Sequence, residues 1–176
     1  MQFKYGVLDK DYTLTIDGLR NSLLVNGPTT GEYIPWDKER RLYLVNQLEI
    51  VANQVWNAGF DKIFVDGSFV EDKASPEDID CYFECGFKDF SQGKVEEALR
   101  KANPEENWGL GKDDLITKNG KTRFAIWHKY HVDLWPECGL ESGIFDKSGS
   151  NNLKISQAFR QQKETYRKKG IVKLVK

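Results

Sequence analysis

The chain has 176 residues, enough for one domain with one sizeable core, and its 39% hydrophobic and 12% aromatic content fits a folded protein. No run of ~18 apolar residues is present, which argues against a transmembrane helix, and Met1–Tyr5 lacks the apolar stretch of a signal peptide. The net charge of −1 hides an asymmetry: Lys154 to Lys176 carries eight basic residues and one acidic, a local +7 that leaves −8 on the remainder.

Taken in order, residues 1–35 read as an irregular segment that wraps the domain. Thr15 is a candidate cap for a short helical stretch, Ile16 to Leu24, and Gly27-Pro28, Gly31 and Pro35 interrupt regular structure after it. Asp37 to Asn57 is the clearest helix. Leu42, Val45, Leu48, Ala52 and Val55 recur at spacings of three and four, with Asp37 as N-cap and Gly59 as the stop. Lys62 to Val65 and Ile79 to Cys85 read as strands. Residues 86–92 read as a linker, and Gly93 to Ala102 as a helix ended by Asn103-Pro104. Leu115–Thr117 and Lys121–Trp127 form a predicted hairpin around Asn119-Gly120, a two-residue turn signal. After a turn at His128–Tyr130, His131–Trp135 is a strand stopped by Pro136. Residues 136–152 read as loop, Ile155 to Lys168 as a helix stopped at Gly170, and Ile171–Val175 as a last strand. The expected fold is a single α/β (α+β) domain, a mixed sheet flanked by helices, over residues 36–176.

The chemistry concentrates between residues 63 and 84. A strand-like run ends in Gly67-Ser68, nine residues follow, and Asp78-Ile79-Asp80 then opens a second strand. Glycine lets backbone N–H groups approach phosphate oxygens closely, and the Ser68 hydroxyl adds a donor. Strand side chains alternate, so Asp78 and Asp80 share a face with Tyr82 and Glu84, while Ile79, Cys81, Phe83 and Cys85 face a core. Two carboxylates at that spacing suit Mg²⁺, which takes one or two carboxylates and completes its shell with substrate phosphates. Asp133, on the later strand, is a candidate third ligand; buried without a partner it would be costly. Lys121 and Arg123 are candidate phosphate contacts, with ordinary surface charge as the alternative.

Gly67-Ser68, Asp78-x-Asp80 and Asp133 resemble the nucleotidyltransferase fold of the DNA polymerase beta superfamily. More closely, the chain is similar to a short bacterial and phage family of nucleotidyltransferase-like proteins. Their shared segments read D-G-S-F-V (here Asp66 to Val70), P-x-D-I-D (Pro76 to Asp80) and K-G-I-V-(K/R)-L (Lys169 to Leu174), and the likeness spans about Tyr12 to Leu174. The resemblance implies that Asp78 and Asp80 bind Mg²⁺ or Mn²⁺, with Asp133 as third ligand and general base. It implies that Gly67 and Ser68 hold the β and γ phosphates of a nucleoside triphosphate, whose α-phosphate is attacked by an acceptor hydroxyl as pyrophosphate leaves. Larger superfamily members carry a helical domain that grips base or acceptor; this chain has little room for one, and a dimer is one way to supply the surface.

Rival readings come from the same residues. A catalytically silent nucleotide-binding protein, for instance a partner in a toxin–antitoxin or phage-defence pair, would keep the fold without turnover. The basic tail suits a nucleic acid or an acidic protein partner, or else a solvated helix face and a lysine-protected edge strand. Cys81, Cys85, Cys138, His128 and His131 offer zinc-ligand types, but Cys81 and Cys85 lie along one strand with thiols ~13 Å apart. The odd count of three cysteines points instead to reduced thiols in a cytoplasmic protein.

Overall fold

The computed structural model describes residues 1–28 and 35–176. Its N-terminal third holds a two-residue-strand hairpin, β1 (Phe3–Lys4) and β2 (Val7–Leu8), then β3 (Tyr12–Leu14) and helices α1 (Ile16–Arg20) and α2 (Leu23–Asn26). The long helix α3 (Lys38–Asn57) leads to β4 (Ile63–Asp66), a 3₁₀ turn over Gly67–Val70, and β5 (Ile79–Glu84). Next come α4 (Phe87–Ser91), α5 (Lys94–Ala102), the hairpin β6 (Ile116–Lys118) and β7 (Lys121–Arg123), α6 (Ala125–Tyr130) and β8 (Val132–Glu137). A second hairpin, β9 (Glu141–Phe145) and β10 (Asn152–Lys154), then α7 (Ile155–Ala158) and β11 (Val172–Leu174) complete the chain.

A five-stranded mixed sheet in the order β3-β11-β4-β5-β8 is the frame. β11 runs parallel to β3 and antiparallel to β4, β4 is antiparallel to β5, and β5 is parallel to β8. One face carries Ile63, Val65, Ile79, Cys81, Phe83, Val132, Leu134, Val172 and Leu174, which join Leu44, Val45, Leu48, Val51 and Val55 of α3 in the core. Every second residue of each strand faces the other way, so Asp66, Asp80, Tyr82, Asp133 and Trp135 lie on the opposite face. The molecule is thus a mixed α/β domain, as its alternating patterns predict. Among the described residues no helix is long and apolar enough to cross a membrane.

α3 follows its sequence signals closely. The Asp37 carboxylate accepts from the Arg40 backbone N–H at 3.0 Å, and Gly59, at φ +95°, stands just beyond the last turn. Thr15 caps α1 as expected, accepting from Gly18 N at 3.0 Å, but the helix breaks at Asn21 and restarts from a Ser22 cap. Of the interruptions predicted after it, Gly31 lies outside the described residues.

Several expectations are corrected. The N-terminal segment is not merely a wrapping: β3 is an edge strand of the main sheet. It is only three residues long, too short for a periodic signal. Residues 86–92 hold α4 instead of a linker, and 136–152 hold the end of β8 and all of β9. Lys121–Trp127 is not one strand; β7 stops at Arg123 and Ala125–Tyr130 turns helical. Phe124, Ile126, Trp127 and Tyr130 are all buried, a spacing that a short window reads equally well as strand alternation. His131 follows as a left-handed cap at φ +54°, not as a strand residue. Pro136 does not stop β8. The carbonyls of His131 and Glu137 accept from β5-side amides, so by alternation the nitrogen of Pro136 points to the free edge, where a missing N–H costs nothing. The predicted helix over Ile155–Lys168 ends at Ala158, because the residues beyond it are drawn into tertiary contacts: Arg160 pairs with both oxygens of Asp11, and Lys169 enters the body of the protein.

Candidate functional site

Strand register assembles the site. Asp66 on β4 is opposite Asp80 on β5, and Asp80 is opposite Asp133 on β8. Three carboxylates therefore lie in a row across three neighbouring strands on one face, in directly opposed pairs whose Cβ atoms sit roughly 5 Å apart. Asp78, two residues before Asp80, shares that face; its Oδ2 accepts from the indole Nε1 of Trp127 at 2.7 Å. Directly opposed like charges repel, so such a row persists only where countercharge offsets it.

The protein supplies part of that countercharge. Arg123 Nε lies 3.6 Å from Asp133 Oδ2. Lys169, itself buried, puts Nζ 3.3 Å from Asp66 Oδ1 and 2.8 Å from Glu71 Oε1, and donates to the Gly67 carbonyl at 3.1 Å. The compensation is incomplete. Burial pushes Asp80 up to about 7, the charges of Asp78 and Asp133 adding to it against Lys169 and Arg123. Burial likewise raises Asp133 to about 6, with Arg123 opposing. Asp66 is raised by burial and pulled back by Lys169. Lys169 is depressed by burial, but Asp66 and Glu71 outweigh that and hold it above its ordinary value. Among the described residues the Oδ1 atom of Asp133 is buried with no hydrogen-bond partner.

Gly67 is fixed by this arrangement. It sits at φ +69°, and a Cβ built on it would overlap the Asp80 carboxylate. The turn therefore needs glycine twice over, for its left-handed backbone and for the space that Asp80 occupies. Gly67→Ala is expected to cost about 1–3 kcal/mol of stability and to displace the Asp80 carboxylate. Chemical denaturation of both forms measures this; an unchanged midpoint would refute the packing argument.

The first turn of α3 holds the loop between the glycine turn and Asp78 at both ends. Arg41, fully buried, donates from Nη1 to the carbonyls of Leu24 at 2.7 Å and Phe69 at 2.8 Å, and from Nη2 to those of Glu71 and Lys73. Its guanidinium lies 3.9 Å from the centre of the Trp36 ring. Burial lowers its pKa to about 9 against the pull of Asp37, so it stays charged at neutral pH. Arg40 donates to the carbonyls of Pro76 and Glu77, and the Ser75 hydroxyl donates to Asp37 at 2.8 Å.

Of the residues singled out from sequence, Asp78, Asp80, Asp133 and Gly67 converge, and Arg123 reaches them through Asp133. Ser68 is in the glycine turn, and among the described residues its hydroxyl makes no hydrogen bond to another group. Lys121 pairs with Glu77 and lies over the Trp127 ring, at the rim. Sequence reasoning passed over Asp66, Glu71, Arg41, Trp127 and Lys169. Asp66 and Lys169 were nonetheless inside the D-G-S-F-V and K-G-I-V segments. The basic tail spends part of its charge internally, with Arg160 on Asp11, Lys169 buried on Asp66 and Glu71, and Lys176 3.2 Å from Asp61. Among the described residues Lys154, Lys163, Arg167, Lys168 and Lys173 make no ion pair.

Among the described residues no three metal-ligating side chains converge tightly enough to hold an ion by themselves. The donor set still fits Mg²⁺, an ion that takes one or two carboxylates and fills its remaining positions with water and phosphate oxygens. The partnerless Asp133 oxygen and the raised Asp80 both mark a deficit of positive charge at that point.

The raised carboxylates have a consequence for stability. Asp80 and Asp133 bind protons more tightly folded than unfolded, so the folded state holds more protons between pH ~4 and ~7 and stability falls as pH rises through that window. The thermal midpoint is expected to be higher near pH 5 than near pH 8, and Asp80→Asn is expected to flatten the slope. An identical slope in the variant would exclude Asp80 as its source.

Residues 1–175 match the model of a family of unknown function, DUF6932. No curated protein and no solved structure matches the chain.

Proposed function

We propose that the chain, which belongs to this family of unknown function, is a metal-dependent nucleotidyltransferase of the DNA polymerase beta type. It transfers a nucleoside monophosphate from a nucleoside triphosphate to a hydroxyl on a protein, RNA or small-molecule acceptor. The observation that carries the reading is the carboxylate row: Asp80 and Asp133 in register on neighbouring strands, Asp78 beside them, and a glycine turn whose missing Cβ leaves room for Asp80.

In this reading Asp78, Asp80 and Asp133 hold Mg²⁺ or Mn²⁺, which neutralises phosphate charge as it shifts during displacement. Gly67 and Ser68 receive the β and γ phosphates through backbone N–H groups and the free Ser68 hydroxyl. Lys121 and Arg123, on the rim, offer charge to the same phosphates. Asp133 takes the proton of the acceptor hydroxyl. The acceptor oxygen bonds to the α-phosphorus, the bond to the bridging oxygen breaks, and pyrophosphate leaves with the electron pair. Positioning by the face of a sheet suits this chemistry, which asks for alignment and charge neutralisation more than covalent catalysis. The cysteines are reduced and the protein works in the cytoplasm.

A second reading has a specific observation behind it. Arg123 and Lys169 already neutralise part of the carboxylate row, and Trp127 occupies one oxygen of Asp78. That favours nucleotide binding without turnover, in a protein whose partner reads the bound state. Calorimetric titration with ATP, GTP, CTP and UTP, with Mg²⁺, Mn²⁺ or chelator, tests the shared premise. Metal-dependent binding followed by pyrophosphate release on adding an acceptor supports transfer; binding with no pyrophosphate under any acceptor supports the second reading. No binding of any triphosphate would reject both.

A further inference from the structure

Away from the carboxylates, at the opposite ends of the same two strands, two half-buried thiols face one another. The β5–β8 register runs through Glu84 opposite Glu137, and the next step brings Cys85 beside Cys138. The Cys85 N–H donates to the Glu137 carbonyl at 3.1 Å, so pairing continues to this point. Alternation puts Cys85 with Ile79, Cys81 and Phe83, and Cys138 with Val132 and Leu134, so both side chains leave the sheet on one face. Neighbouring paired strands hold Cα atoms at a separation that a disulfide accepts. The two thiols are close enough to perturb one another's ionisation. Both cysteines are partly exposed, whereas Cys81 is fully buried in the core.

We propose that Cys85 and Cys138 form a redox modification site that closes to an intramolecular disulfide on reaction with small-molecule disulfides. The Cys138 thiolate attacks one sulfur of the small disulfide, and a thiolate leaves. The Cys85 thiol gives up its proton and attacks the Cys138 sulfur of the mixed disulfide, and the second small thiol leaves. Two protein thiols are oxidised and one disulfide is reduced to two thiols. Cys138 is the first attacker because burial raises its thiol less than it raises that of Cys85. Burial raises both thiols, Cys85 to about 12, so the exchange is slow at neutral pH and accelerates as pH rises. The bond joins the ends of β5 and β8, the strands that carry Asp80 and Asp133, and the inference stands whether or not the protein binds nucleotides.

The test exposes the folded full chain to oxidised glutathione at pH 8.5, quenches in acid, and counts thiols by alkylation in denaturant. The expected count falls from three to one, the intact mass falls by about 2 Da, and a peptide map joins Cys85 to Cys138. Dithiothreitol restores all three thiols. Cys85→Ser is expected to accumulate a glutathione adduct at Cys138, and Cys138→Ser to react at least about tenfold more slowly. The proposal is overturned by lasting glutathione adducts on the wild type without an internal bond, by a bond that includes Cys81, or by three thiols surviving a treatment that oxidises the urea-unfolded chain.

Discussion

Asp78→Asn combined with Asp80→Asn is expected to abolish metal-dependent triphosphate binding and any transfer, while leaving the fold at least as stable as the wild type near pH 8. Both halves follow from the same row of carboxylates. Asparagine keeps the shape and the hydrogen-bond acceptor that Trp127 Nε1 uses on Asp78, but it removes two of the anionic ligands on which a hard cation depends. The loss is expected to exceed about 100-fold in affinity, the upper end of what changes at the outer shell of a metal site cost. Stability moves the other way. Asp80 is held at about 7 by burial and by its acidic neighbours, so near pH 8 its charge opposes folding and its removal relieves that repulsion. Calorimetry with Mg²⁺ and a triphosphate, run beside thermal unfolding, separates the two effects. Unchanged binding would move the site elsewhere, and a large fall in stability would mean that these carboxylates hold the fold together instead of straining it.

Lys169→Met is expected to be among the most damaging single substitutions in the protein, costing about 3–5 kcal/mol, the penalty for breaking a buried ion pair and stranding its partner. Lys169 is 5% exposed and Asp66 is wholly buried, so removing the ammonium leaves Asp66 and Glu71 without their cation. It also frees the Gly67 carbonyl, which Lys169 ties down at 3.1 Å, and so loosens the turn assigned to the phosphates. Adding Asp66→Asn is expected to recover part of the stability, because the stranded charge is then gone, but not the tether to Gly67. Urea denaturation of the single and double variants forms the cycle. If Asp66→Asn adds its own penalty to that of Lys169→Met, the two do not interact and the ion pair contributes nothing. Where the variants stay folded, triphosphate binding should weaken more than monophosphate binding.

Much of this architecture was legible in the chain. The periodic apolar stripe of α3, its Asp37 cap and its stop at Gly59 fixed one face of the core without reference to anything distant. Alternation over Ile79–Glu84 sorted Asp80 from Cys81 onto opposite faces, and the glycine–serine turn followed by Asp-x-Asp drew attention to the loop beside which the carboxylates gather. These are local properties, set by helical and strand periods that the neighbouring residues alone enforce. The segment from Phe124 to Tyr130 shows where local signals fail. Its buried residues fit a strand or a helix over so short a window, and the helical choice goes with a buried Trp127 whose indole reaches Asp78, forty-nine positions away in sequence.

Only the tertiary structure decided which strands became neighbours, and that decided the site. Asp66 lay just past a predicted strand, Lys62 to Val65, until register set it opposite Asp80, and Asp133, a candidate third ligand from sequence, had no fixed neighbour until β8 took the edge beside β5. Lys169 counted as one of eight basic residues in a tail that invited a polyanionic partner. In the fold, β11 lies between β3 and β4, the chain just ahead of it passes so close to Lys10 that only glycine fits at Gly170, and the preceding lysine is carried into the carboxylates. Sequence by itself determined what each residue could do and which way it would face, because those follow from chemistry and from the period of one element. Which charges meet depends on pairings across more than a hundred residues, and no local rule encodes that.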